Sequence, residues 1–409
     1  MIFLYGNRQN QTFCVCAECM MKISVITATR AEYGLLRPVI KRLRASEYFQ
    51  VELVVTGMHL SMEFGSTYKE IEQDGEHIDN KIEILLSSDT AVAMSKAMGL
   101  AMISFSEYFE TSKPDAVLIL GDRYEMLAVS CTAMNAKIPI IHMHGGEATE
   151  GLIDEAIRHA ITKMSYLHLT STEQYRKRVI QMGEQPERVF NVGATGVENA
   201  LHVDLMTREE LEDSLKCSLN RPYAIVTFHP VTLEADTVTL QMQELLAAMQ
   251  EHSEYLYLCT KANADAGGRE INRLLDEYAK QTDNIIVYES LGVHRYLSAL
   301  KYADVVIGNS SSGIIEVPSF GIPTINIGDR QKGRIQADSI INCEPDRLSI
   351  AESIEKAQNI AFRERVKRTK NPYGSGHTSE VVVDILYEHL VIKPINLKKK
   401  FFDLNIGEV

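Results

Sequence analysis

Carboxylates, histidines and arginines gather at the ends of short apolar runs in the first half of the chain, in spacings that suit proton transfer. GDRYE places Asp122 and Arg123 after one run, and HMHGGE places His142, His144 and Glu147 after the next. GLIDEAIRH then brings Asp154, Glu155, Arg158 and His159 to the start of a helical pattern. Several carboxylates facing one cleft are what proton abstraction at carbon needs, because one acts as base while another is held protonated as acid. Taken singly, each reads equally well as a helix cap or an ion pair. His142 and His144 alternate along a strand and so point to opposite faces, which disfavours a shared metal and makes His142 a core histidine.

The second half offers anion chemistry. In GNSSSG, 308–313, glycines and hydroxylated side chains stand between a buried run and a new helix. There the backbone N–H groups of Ser310, Ser311, Ser312 and Gly313 can approach a diphosphate, with plain helix capping as the alternative. Glu316, one turn further on, suits hydrogen bonds from a ribose diol, and GDRQKGR adds Arg330 and Arg334. FHPVT contributes His229, while KANADAGG contributes Asn263 and Asp265, which are equally turn formers. Back in the first half, TATRAEYG sets Arg30 and Ala31 on a strand-to-helix turn. Either a phosphate is held there or Arg30 pairs with Glu32 at the surface. None of these loops has the form of a Walker A loop or a GxGxxG fingerprint, which counts against ATP hydrolysis and nicotinamide chemistry.

The elements that must carry these loops follow an alternating rhythm. From Lys22 onward ISVITA, VELVVTG, AVLILGD, IPIIHMHG, LHLTS and VFNVG read as strands separated by amphipathic helices. YAIVTFHP, YLYLCTK, NIIVYES, DVVIGNSS and PTINIG repeat the rhythm after a charged stretch from His202 to Arg221. Such all-apolar strands belong in parallel sheets covered on both faces. The reading is α/β, with an N-terminal Rossmann-like domain over 21–204 and a second over 205–375. A helix and basic tail over 376–409, with KPINLKKK after the helix, reads as a solvated end. Ligands of two doubly wound domains sit beyond the strand ends, in one shared cleft. Residues 1–20 carry Cys14, Cys16 and Cys19 but no second set of ligands, and read as an extension rather than a zinc site.

The 409 residues suffice for two or three domains with cores of their own, and the formal net charge of −13 argues against a broad nucleic-acid or anionic-membrane surface. No apolar run is long enough to span a bilayer, so a cytoplasmic location is expected, and a closed homo-oligomer, dimer or tetramer, is the usual state of such enzymes.

TATRAEYG, TGMHLS, GDRYE, HMHGGE, DEAIRHAITKMS, FHPVT, GNSSSG and GDRQKGR, in this order and spacing, resemble the hydrolysing UDP-N-acetylglucosamine 2-epimerases of sialic acid and capsule biosynthesis, from about Lys22 to Leu390. The resemblance implies the glycosyltransferase-B-like pairing of two Rossmann-like domains, with UDP held mainly by the second. The implied partners are UDP-GlcNAc and UDP, with no cofactor and no metal. The implied reaction is anti-elimination of UDP to 2-acetamidoglucal, followed by hydration to N-acetylmannosamine. Matched motif by motif, Asp122 resembles a carboxylate of the elimination step and Asp154 one used in proton transfer. Arg30, Ser311, Ser312 and Glu316 match positions that hold UDP, with His229 and Arg123 near the diphosphate. Many relatives read HxEGGE where this chain reads HMHGGE. Either His144 takes over the acid–base role or Glu147 or Glu155 supplies the carboxylate, and His144 is preferred because it keeps the strand position. Rivals are the non-hydrolysing epimerase, the same chemistry on UDP-diacetylbacillosamine, a glycosyltransferase, and a non-catalytic UDP-sugar-binding protein, which would need the carboxylates lost.

Overall fold

The computed structural model describes residues 20–86, 88, 90–148, 153–230, 237–262 and 268–404. The readings made for residues 1–19 and for Asn263 and Asp265 lie outside the described residues.

Two parallel sheets form. The first holds β1 (Met21–Thr27), β2 (Phe49–Thr56), β3 (Asn80–Ile82), β4 (Ala116–Leu120), β5 (Ile140–Met143), β6 (Leu167–Thr170) and β7 (Val189–Asn191), in the order β3-β2-β1-β4-β5-β6-β7. The second holds β8 (Tyr223–Thr227), β9 (Leu256–Thr260), β10 (Ile285–Tyr288), β11 (Val305–Gly308), β12 (Thr324–Ile327) and β13 (Ile340–Cys343), in the order β10-β9-β8-β11-β12-β13. Every pairing is parallel, with β1 beside β4 and β8 beside β11 at the points where the winding reverses. β4, β5, β6, β11 and β12 are buried along their whole length. Helices therefore cover both faces, and separate apolar cores lie on each side of each sheet.

A seam joins the two halves. The helix Thr195–His202 follows β7, and its N-cap Ala194 and its Val197 pack with Tyr175, Ile314, Ile315 and Tyr373 in a cluster drawn from both halves. Tyr175 Oη and Tyr373 Oη meet at 3.3 Å, and Ile335 N donates to Tyr175 Oη at 3.2 Å. The helix Thr378–Leu386 then returns to the first sheet, where Val382, Ile385 and Leu386 join the core beside the helix Arg30–Arg44.

The basic tail corrects the expectation of a solvated end. Lys399 Nζ donates to the carbonyls of Lys163 and Ser165 at 3.0 and 2.8 Å and pairs with Glu184 at 2.5 Å. Phe402 N donates to Gly183 O at 2.9 Å, and the Phe401 ring fills the space where a Gly183 side chain would stand. Glu184 is 1 % exposed and also receives His168 Nε2 and Lys163 Nζ, so a cation was drawn from the tail to satisfy a buried carboxylate. Among the described residues no helix is long and apolar enough to cross a membrane.

Candidate functional site

The candidate residues of the described chain lie just beyond the carboxyl ends of β1, β4, β5, β8, β11 and β12, at and beside the two reversal points, or on the helices that follow. At the end of β4, the partly exposed Asp122 carries an ion pair with the buried Arg158. Arg158, 1 % exposed on the helix Ile153–Met164, also donates to Glu155 Oε2 at 2.7 Å and to the Glu147 carbonyl at 2.8 Å. One guanidinium thereby ties together three of the motifs, a role the sequence did not disclose for Arg158. The signal was present in its position three residues after Glu155 and four after Asp154, on the same helix face. Asp154 is half-buried, and burial together with the nearby Asp122 raises its carboxyl above the ordinary aspartate value. Glu155 is divided between Arg158 and His159 Nε2, the latter at 3.2 Å.

His142 is a satisfied core residue as expected, wholly buried, with Nε2 at 2.8 Å from Gly121 O and burial lowering it to about 3. His144 departs from its expected strand geometry. β5 ends at Met143, and His144 turns out of the strand with φ +64°. Its Nδ1 lies 3.3 Å from Glu147 Oε1. Glu147 receives Ser171 Oγ at 2.8 Å and Arg334 Nη1 of the second half at 2.8 Å. Burial pushes its carboxyl up, but Arg334 and His144 outweigh that and hold it well below the usual range. Glu147 is thus spent on anchoring.

In the TATRAEYG turn the surface pair between Arg30 and Glu32 does not form. Thr29 and Glu32 form a capping box, with Glu32 Oε2 accepting from Ala28 N and Thr29 N at 2.8 and 3.1 Å. Burial raises the Glu32 carboxyl to about 7 even with Arg123 nearby. Arg30 and Ala31 are exposed at the helix start, and Arg30 reaches Glu70 rather than Glu32, at 3.7 Å. Arg123 is engaged by Glu125, at 3.1 Å from Nε and 2.9 Å from Nη2.

In the second half, Gly308 ends β11 with φ +136°, and a Cβ there would collide with the Thr227 carbonyl of β8. This close approach lets Asn309 clamp the backbone of His229: Oδ1 accepts from His229 N at 2.7 Å and Nδ2 donates to His229 O at 2.8 Å. Arg330 and Gln331 both donate to Asn309 O, at 3.0 and 2.8 Å. Asn309 and Gln331 are therefore organisers that motif reading passed over. Burial, then Arg330, lowers His229 to about 3, so its imidazole is neutral at pH 7. Ser310 caps the short helix Ser311–Ile315, and Ser312 Oγ receives Tyr296 Oη at 2.8 Å. Gly313 packs so tightly on Thr324 that a side chain would have to displace it. Glu316 is held up to about 7 by burial and points at Gly196 of the first half.

His144 Nε2, Glu316 Oε2 and Arg334 Nε are buried atoms without a protein hydrogen-bond partner, as are His229 Nδ1 and Gln331 Oε1. Buried polar groups are almost always satisfied; unpartnered ones occur elsewhere in the described chain too, but His144 and Arg334 also bear electrostatically on Glu316, which brings unpartnered groups of both halves together where a polar ligand could satisfy them. Its donors and acceptors suit a diphosphate and a diol, and its Asp122–Asp154 pair suits proton transfer. Among the described residues no three His, Cys, Asp or Glu side chains group as metal ligands.

Comparison with known proteins agrees with this geometry. The UDP-N-acetylglucosamine 2-epimerase family model matches residues 41–387. A Campylobacter jejuni GDP/UDP-N,N'-diacetylbacillosamine 2-epimerase (hydrolyzing) is 41% identical over 94% of this chain and 99% of its own. The Escherichia coli polysialic acid biosynthesis protein P7 is 40% identical over 94% and 98%. In fold, the Methanocaldococcus jannaschii UDP-GlcNAc 2-epimerase solved with UDP-GlcNAc and UDP superposes with a TM-score of 0.74, at 19% identity, over 90% of this chain and 99% of that one. From the site outward to these likenesses, the chain belongs to the UDP-N-acetylglucosamine 2-epimerase family.

Proposed function

We propose that the protein is a hydrolysing UDP-N-acetylglucosamine 2-epimerase, releasing N-acetylmannosamine and UDP for sialic acid biosynthesis. The observation that carries this reading is the convergence of unpartnered buried groups from both sheets beside the Asp122–Asp154 pair. In the elimination, the C2–H electron pair becomes the C1=C2 double bond, the C1–O pair leaves with UDP, and the proton passes to a base of the first sheet. Water then adds its oxygen to C1, while C2 takes a proton on the other face. Two proton-transfer groups of unlike proton affinity are needed, and Asp154, raised by burial and by Asp122, suits the acid. Arg330, Arg334 and the loop 308–313 meet the charge on the departing diphosphate, and Glu316 accepts from the ribose. UDP-GlcNAc and UDP are the proposed ligands, and a homo-oligomer the proposed state.

A second substrate reading is favoured by names. The Campylobacter relative and a Legionella pneumophila relative, 37% identical over 89% of this chain, are both named for UDP-N,N'-diacetylbacillosamine. The chemistry is the same and the sugar differs. Proton NMR in deuterated water with each UDP-sugar tests both. UDP with N-acetylmannosamine deuterated at C2 supports the first reading, and turnover confined to the diacetylated sugar supports the second. Formation of UDP-N-acetylmannosamine, with no free sugar, would overturn the hydrolysing assignment.

A further inference from the structure

His144 occupies the left-handed backbone region, φ +64°, which a histidine adopts at an energetic cost that surrounding contacts must offset. The turn sets Nδ1 at 3.3 Å from Glu147 Oε1 and leaves Nε2 buried without a partner. A carboxylate without its proton can only accept, so the Nδ1 facing it must carry the hydrogen, and in the neutral ring Nε2 is then the bare nitrogen. Glu147 cannot swing away, because Ser171 and Arg334 hold its two oxygens at 2.8 Å each. Arg334 comes from the loop after β12, on the other sheet.

We infer that Glu147 and Arg334 are positioning residues that hold His144 as its Nδ1–H tautomer with Nε2 facing the cleft, so that the proton-accepting group of the first sheet is completed by an arginine of the second. The inference rests on the epimerase reading and deepens it. Nε2 takes the C2 proton as the C1–O bond breaks, and the imidazolium so formed is balanced by Glu147, as an orienting carboxylate does in other base–carboxylate pairs. The other charged or titratable groups bearing on the ring are Glu316 from the second half and His142 on β5, while Arg158 from the helix Ile153–Met164 bears on Glu147 and His142.

Nitrogen-15 NMR of the histidine-labelled protein, with the His144 signals assigned by their loss in His144→Gln, reads the tautomer without any substrate. The expected spectrum shows His144 protonated at Nδ1, and Glu147→Gln mixes the two tautomers. Kinetics supply the second readout. Glu147→Gln is expected to lower kcat by about a hundredfold while UDP affinity stays within about threefold. It is also expected to alter the pH profile of kcat/KM, because the carboxylate that orients the ring is lost. Glu147→Asp should restore part of the rate. An Nε2–H tautomer, or a Glu147→Gln enzyme with unchanged kcat and pH profile, overturns the inference. Failure of the wild-type protein to turn over either UDP-sugar overturns the epimerase reading instead, and the tautomer spectrum still decides the pair.

Discussion

Asp154 and Glu316 are carboxyls pushed towards their neutral forms by burial, and each makes a separate prediction. Asp154→Asn keeps the shape but removes the exchangeable proton, so turnover should fall at least about a hundredfold while UDP still binds; calorimetry and NMR turnover measure the two separately. For Glu316 the ordinary value of 4.5 rises to about 7 in the fold. The folded state therefore binds the proton more tightly, and the stabilisation this gives is complete below pH 4.5 and disappears as pH climbs through 7. Glu316→Gln should flatten that slope in the Tm–pH curve of the free protein and weaken UDP about tenfold or more. A thermal curve with the same slope in the variant would remove Glu316 from the account. Gly196→Ala tests the same carboxylate from outside: its methyl would land on Glu316 Oε1, the far end of a side chain that can yield, so folding should survive while UDP affinity drops. The sequence exposed these carboxylates because residue type and strand-end position suffice to find them. It did not expose the turn at His144 or the capture of Glu147, because both depend on a positive φ and on an arginine 187 residues away.

The strands and their loops were readable because a parallel sheet buried on both faces demands continuous apolar runs, and β4, β5 and β11 are such runs. The tail was not, since KPINLKKK is polar by composition and its place is set by Glu184, a buried charge on a distant segment. Lys399→Met leaves Glu184 with His168 and Lys163, so the expected cost is about 1–2 kcal/mol rather than the larger loss of stripping a buried carboxylate bare. Chemical denaturation checks this, and a double-mutant cycle with Glu184→Gln should show coupling of the same sign. No coupling would mean that the tail adheres without the Glu184 ion pair, through Phe401, Phe402 and the bonds of Lys399 to the Lys163 and Ser165 carbonyls. Gly308 makes the sharper claim about an element: since any Cβ meets the Thr227 carbonyl, Gly308→Ala should break the β8–β11 pairing or abolish UDP binding, and a folded variant with normal UDP affinity would contradict the geometry.

Across the whole molecule the site belongs to neither sheet. Ion pairing of Arg334 with Glu147, the approach of Glu316 to Gly196, and the Tyr175–Tyr373 contact all span the seam, so a ligand held there must order both halves together. Binding at a hundred times Kd adds about 2.7 kcal/mol to the stability of the folded state. If that energy is shared across the seam, hydrogen exchange with saturating UDP should slow in the loops after β4 and β5 as well as in those after β11 and β12, although the proposed phosphate contacts lie mainly on the second sheet. In Glu147→Gln the second-sheet loops should keep most of their protection and the first-sheet loops should lose it, because the bridge through Arg334 is weakened while Arg330 and the loop 308–313 are left as they were. Protection limited to the second sheet in the unaltered protein would mean that UDP alone does not draw the halves together, and closure would then have to come from the sugar.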